Sequence, residues 1–171
     1  MKKILFTITI TLMSLTVIGQ TNFEKRIIDE INQYRDSMNL KPAIFDTSVY
    51  DIAKQLVDYM IETDSLPPIK VMSENGELIV KPFKTMMSEK NFTESGGTVF
   101  HTQPLENDGI QKTDEVLIQR FMNFILSDRG YTVNIVLPID PNLPLRYNIG
   151  VYCKISKGKL YSCVVLCEIS S

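Results

Sequence analysis

Apolar residues recur every three or four positions through two successive stretches near the start of the chain. Phe23, Ile27, Ile31, Tyr34 and Met38 line one helical face, with Glu24, Lys25, Asp29 and Arg35 off it. Thr21 and Glu24 form a Ser/Thr-x-x-Glu capping box that marks where this helix begins. Asn39-Leu40-Lys41-Pro42 ends it, because the residue before a proline is driven out of helical geometry and Pro42 has no N–H to donate. After a short extended link, Asp46 or Thr47 caps a second helix whose buried stripe is Val49, Ile52, Ala53, Leu56 and Met60.

The pattern then shortens its period. Asn75-Gly76 lies between runs rich in Val, Ile and Leu and predicts a tight hairpin, with Pro82 confining its second strand to an edge or ending it. Thr98-Val99-Phe100 reads as a short strand running to His101. A third helix starts at the cap Thr113, carries Asp114 and Glu115 in its first turn and buries Leu117, Phe121, Phe124 and Ile125. Pro138, Pro141 and Pro144 mark a loop before the strand Tyr147–Tyr152. Lys157-Gly158 turns the chain into a last strand over Leu160–Ile169, which is apolar on both faces and so belongs in the centre of a sheet covered on both sides.

The run Ile31-Asn32-Gln33-Tyr34-Arg35, followed by Leu40, Pro42, Phe45-Asp46, Ala53 and Tyr59-Met60, resembles the opening of the CAP family of secreted SCP-like domains. That family pairs an Asn-x-x-Arg helix with a Leu-x-Pro-Leu-x-(Trp/Phe)-Asp link and a second helix carrying a buried Ala. Asn134-Ile135-Val136 with Pro138, and later Ile149-Gly150-Val151, also resemble family segments. The resemblance implies an α+β fold, a three-layer α-β-α sandwich. It also implies an extracellular protein of a kind associated with lipid or sterol binding and with host or microbial interactions.

The first residues fit that address. Two lysines precede an apolar run from Ile4 to Ile18 that is only 15 residues long and holds four threonines and a serine. This is short of the roughly 20 apolar residues a membrane span needs, so residues 1–19 read as a cleavable signal peptide. Residues 20–171 are then one domain, secreted or periplasmic, with no transmembrane segment. Sixteen basic residues face twenty acidic ones after cleavage, without a basic stripe, which argues against nucleic acid and anionic membrane as partners.

The candidate chemistry is sparse. His101 is the only histidine. In the family a first site histidine follows the second helix, where this chain has Pro67 or Pro68, and a second stands where this chain has Tyr131. Tyrosine does not replace imidazole as a zinc ligand or as a group titrating near neutrality, so no metal and no cofactor is expected. Glu94 corresponds to the glutamate that the family aims into its site, and with His101 it forms the one candidate acid/base pair. Glu94 and Tyr131 are the candidate ligand-binding residues. Asn91-Phe92-Thr93 is a formal glycosylation sequon, and Ser95 beside Gly96-Gly97 lacks the Gly-x-Ser-x-Gly pattern of a nucleophile elbow.

All three cysteines fall in the last hairpin. Cys153 and Cys163 stand nearly opposite across the Lys157-Gly158 turn, which allows a disulfide, while three buried thiols are the equal alternative. The expectation is therefore a secreted, non-enzymatic binding or interaction module taking a lipid, another small apolar ligand or an extracellular protein. The competing expectation is a hydrolase, peptidase-like, built on Glu94 and His101.

Overall fold

The computed structural model describes residues 20–67, 71–72, 78–79, 96–105, 113–127 and 146–168. Helix α1 spans Asn22–Ser37 and opens on the expected capping box. The Glu24 N–H donates to Thr21 Oγ1 at 3.2 Å, and the Thr21 N–H donates back to Glu24 Oε2 at 2.7 Å. The buried face differs from the one read from periodicity. Glu24, Ile27, Ile28, Ile31 and Arg35 are buried, whereas Phe23 and Tyr34 are half-buried and Met38 is 46% exposed. The helix is rolled because two of its charged residues, Glu24 and Arg35, find partners inside. Glu24 Oε1 accepts the Cys153 N–H at 2.9 Å, and Arg35 donates from Nε to the Lys41 carbonyl at 2.9 Å while its guanidinium lies 5.2 Å from the Tyr147 ring centroid.

Strand β1 (Ile44–Phe45) follows the link, and Asp46 rather than Thr47 caps α2 (Thr47–Thr63). The expected stripe Val49, Ile52, Ala53, Leu56 and Met60 is buried, with Tyr50 and Val57 added to it. β2 (Val71–Met72) and β3 (Leu78–Ile79) pair antiparallel as the predicted hairpin, while its Asn75-Gly76 tip lies outside the described residues. β4 spans Gly96–Pro104, longer than the short strand expected. Helix α3 covers Asp114–Ser127 and buries Leu117, Ile118, Phe121, Met122 and Ile125, with Phe124 half-buried.

β5 (Tyr147–Ser156) and β6 (Lys159–Glu168) form a long hairpin turning at Lys157 and Gly158, whose φ values of 49° and 70° are those of a tight primed turn. The main sheet runs β1-β5-β6-β4, parallel between β1 and β5 and antiparallel elsewhere, so β6 is central as its two apolar faces require. One core joins α1 and α3 to Val99, Ile149, Val151, Val164 and Leu166. The other joins α2 to Tyr161, Cys163, Val165 and Cys167. Helices on both sides of the sheet make the three-layer α-β-α sandwich that the resemblance implies.

The layers meet most closely at Gly150. A Cβ there would lie 2.3 Å from the Tyr50 nitrogen and 2.4 Å from the Val49 carbonyl carbon, so α2 rests directly on the β5 backbone. This contact fixes where the end of α2 emerges over the sheet.

Candidate functional site

The polar residues that carry the family resemblance are fasteners. Asn32 donates from Nδ2 to the Ala43 carbonyl at 3.0 Å and accepts the Ala43 N–H at 2.8 Å, pinning the link to α1. Arg35 holds the same link at Lys41. Asp46 uses Oδ1 to cap the Ser48 and Val49 N–H groups at 2.8 and 3.1 Å, and Oδ2 to accept from Asn148 of β5 at 3.0 Å. Every one of these groups is spent on joining α1, the link, α2 and the sheet.

A cleft of about 190 Å³ opens where α2 ends, lined by Met60, Asp64, Ser65, Leu66, Thr102, Lys159 and Tyr161. Asp64 sits in the left-handed region at φ 50° and ends the helix. Its Oδ1 accepts from Lys159 Nζ and from Tyr161 OH, each at 3.2 Å. The hydrogen bond from Lys159, then that from Tyr161, holds the Asp64 carboxyl below its usual pKa. Burial raises the Tyr161 phenol, and its bond to the carboxylate adds to the shift. Nearby, Lys157 donates to the Ile61 carbonyl at 2.6 Å and Lys154 pairs with Asp58 at 2.9 Å. Three lysines of the β5–β6 hairpin thus fasten the second half of α2, where cations suit the negative end of the helix dipole. The cleft is smaller than the roughly 300 Å³ at which small-molecule pockets begin.

Of the residues singled out from sequence, Glu94 and Tyr131 lie outside the described residues, as do residues 1–19. His101 stands on β4 against α3, away from that cleft. Its ring centroid is 5.4 Å from that of Phe121 and 4.5 Å from that of Phe124. Burial there lowers its pKa below the ordinary histidine value, keeping the imidazole neutral. Its Nδ1 is buried without a hydrogen-bond partner among the described residues.

The Cys153–Cys163 bridge is not formed, and all three cysteines are reduced thiols. The register explains it. Cys153 pairs with Ser162 and Cys163 with Tyr152, and adjacent positions on a strand face opposite sides of the sheet. Cys153 therefore packs in the α1/α3 core and Cys163 in the α2 core. Burial pushes the Cys153 and Cys167 thiols up to about 12 and Cys163 well above its ordinary value, so none is a ready nucleophile. The Ser162 hydroxyl beside Cys153 works in the opposite direction without reaching hydrogen-bond geometry.

Two groupings were not foreseen from sequence. Asp64 with Lys159 and Tyr161 joins residues almost a hundred positions apart, and no local signal marks it. Ser162 and Gln103 are buried polar residues beside His101. Ser162 carries a signal, since it interrupts the apolar alternation Leu160, Val164, Leu166.

No protein-family model and no curated protein matches the sequence. Solved structures do match in shape. An outer surface protein from Borrelia burgdorferi superposes with a TM-score of 0.55 over 90% of this chain and 96% of its own, at 17% identity. A cysteine-rich secretory protein from Staphylococcus aureus gives a TM-score of 0.49 at 16% identity over 90% of this chain, which spans 40% of that longer one. At such identity the likeness to the Borrelia protein is one of fold: this α-β-α sandwich is shared along nearly the full length of both chains.

Proposed function

We propose that this chain is a divergent CAP-like extracellular domain working as a non-enzymatic binding or interaction module, for a small apolar ligand or an extracellular protein. Residues 1–19 serve as its cleaved signal, leaving the mature domain secreted or periplasmic. The observation that carries the reading is the use made of His101. The only imidazole in the chain is packed against Phe121 and Phe124 and held neutral by burial, as a piece of core. The motif residues Asn32, Arg35 and Asp46 support the same reading, because what they bring from the family is architecture. The likeness in shape, over 90% of this chain, to an outer surface protein agrees with an extracellular address.

Native mass spectrometry of the exported chain, purified without reductant, tests this. The expected spectrum shows a polypeptide starting near Gln20 with extra mass that organic solvent removes. A bare polypeptide would eliminate the ligand-carrier form and leave the protein partner. Peptide hydrolysis that disappears in both Glu94→Gln and His101→Ala would replace the module by a hydrolase.

A further inference from the structure

The sheet face under α1 and α3 changes character along its length. Toward its middle the row Val151, Val164 and Val99 is apolar, as a core demands. The next row, one step nearer the β5–β6 turn, is Cys153, Ser162 and His101, and the one after it is Ile155, Leu160 and Gln103. Ser162 is 0% and Gln103 6% exposed. Ser162 Oγ, His101 Nδ1 and both heteroatoms of the Gln103 amide are buried without a hydrogen-bond partner among the described residues.

Four such atoms on adjacent rows of one face are out of keeping with a native interior, where nearly every buried polar atom is matched by protein or ordered water. Their chemistry selects the partner. A hydroxyl, a primary amide and a neutral imidazole are all uncharged, and together they offer donors as well as acceptors. That set gives a cation no counter-charge, whereas water answers both kinds of group. A buried water makes about three hydrogen bonds, so about two molecules satisfy the four atoms and each other. Ser162 is also the smallest side chain of its stretch, between Leu160 and Val164, and half-buried His101 connects the row to the surface.

We propose that Ser162, His101 and Gln103 form a built hydration site, an internal seam of about two ordered waters between β4, β6 and α3. The site stands whether or not the binding-module reading holds.

A crystal structure of the mature chain at a resolution that orders internal solvent tests it, with thermal unfolding as a second readout. The expected density has water peaks within hydrogen-bond distance of Ser162 Oγ and of His101 Nδ1 or the Gln103 amide. Ser162→Ala then strips a partner from bound water and lowers Tm by about 3 °C. A seam that is dry, or filled by a polar side chain from elsewhere in the protein, overturns the proposal. So does a Ser162→Ala variant whose Tm rises, because removing a bare hydroxyl from a dry core relieves a desolvation penalty.

Discussion

Two polar regions of this molecule are buried to similar depth and built on opposite terms. Around the α1–α2 link, Asn32, Arg35 and Asp46 have hydrogen-bonding atoms directed at named backbone or side-chain partners. On the β4–β6 face, Ser162, His101 and Gln103 offer four buried atoms with no such partner among the described residues. The first region holds the layers together at the place where the chain crosses between them. The second adds nothing to that assembly by direct bonding, so its polarity asks for something outside the chain, and water is the simplest answer. Polar residues that look like a motif can thus be architecture, while inconspicuous ones in a strand can be the better candidates for binding.

Breaking the first region should have the largest effects. In Gly150→Ala the new methyl meets the α2 backbone 2.3 Å away, and neither a helix backbone nor a central sheet can yield cheaply. The expected loss is about 3 kcal/mol, read as a lower urea midpoint with an unchanged slope. A midpoint equal to that of the natural chain would mean that α2 does not rest on β5 as described.

Asn32→Ala comes next. It deletes both bonds to Ala43 and leaves that buried residue's N–H and C=O unpaired, at about 2 kcal/mol. An effect near zero would show the link to be held by Arg35 and Asp46 alone and would weaken the contrast drawn between the two regions.

The smallest effect sharpens the other side of the comparison. His101 has a folded-state pKa depressed by burial, so the unfolded chain binds the extra proton first as pH falls. The stability tied to the neutral ring is present above the unfolded value of about 6.5 and is lost as pH drops through 6.5 toward the lower folded value. The depressed carboxyls of Asp64 and Glu115 titrate below that window and do not mask it. Chemical unfolding at pH 8 and pH 5 should therefore give a lower midpoint at pH 5, and His101→Phe should flatten the difference. A natural chain equally stable at both values would place His101 in solvent.

Much of the fold is legible in the sequence where cause and effect are neighbours. The Thr21/Glu24 box, the Asp46 cap, the α2 stripe, the Lys157-Gly158 turn and the central place of β6 all follow from residues a few positions apart. The roll of α1 was not legible. Periodicity counts Glu24 and Arg35 as surface residues, and partners that include Thr21 and Cys153 for Glu24, and Lys41 and Tyr147 for Arg35, offset the cost of their burial. The cysteine geometry was missed by a single step of register, which on a pleated strand sends a side chain to the opposite face.

By itself, then, the sequence determined most of the elements and their order, because caps, turns and apolar periods act locally, while the layers were implied by the resemblance. Tertiary structure decided which atoms meet: Gly150 under α2, Asp64 with Lys159 and Tyr161, and the polar row at Ser162. Those contacts join segments up to about a hundred residues apart, and a contact of that span exists only once sheet register and helix placement are both fixed.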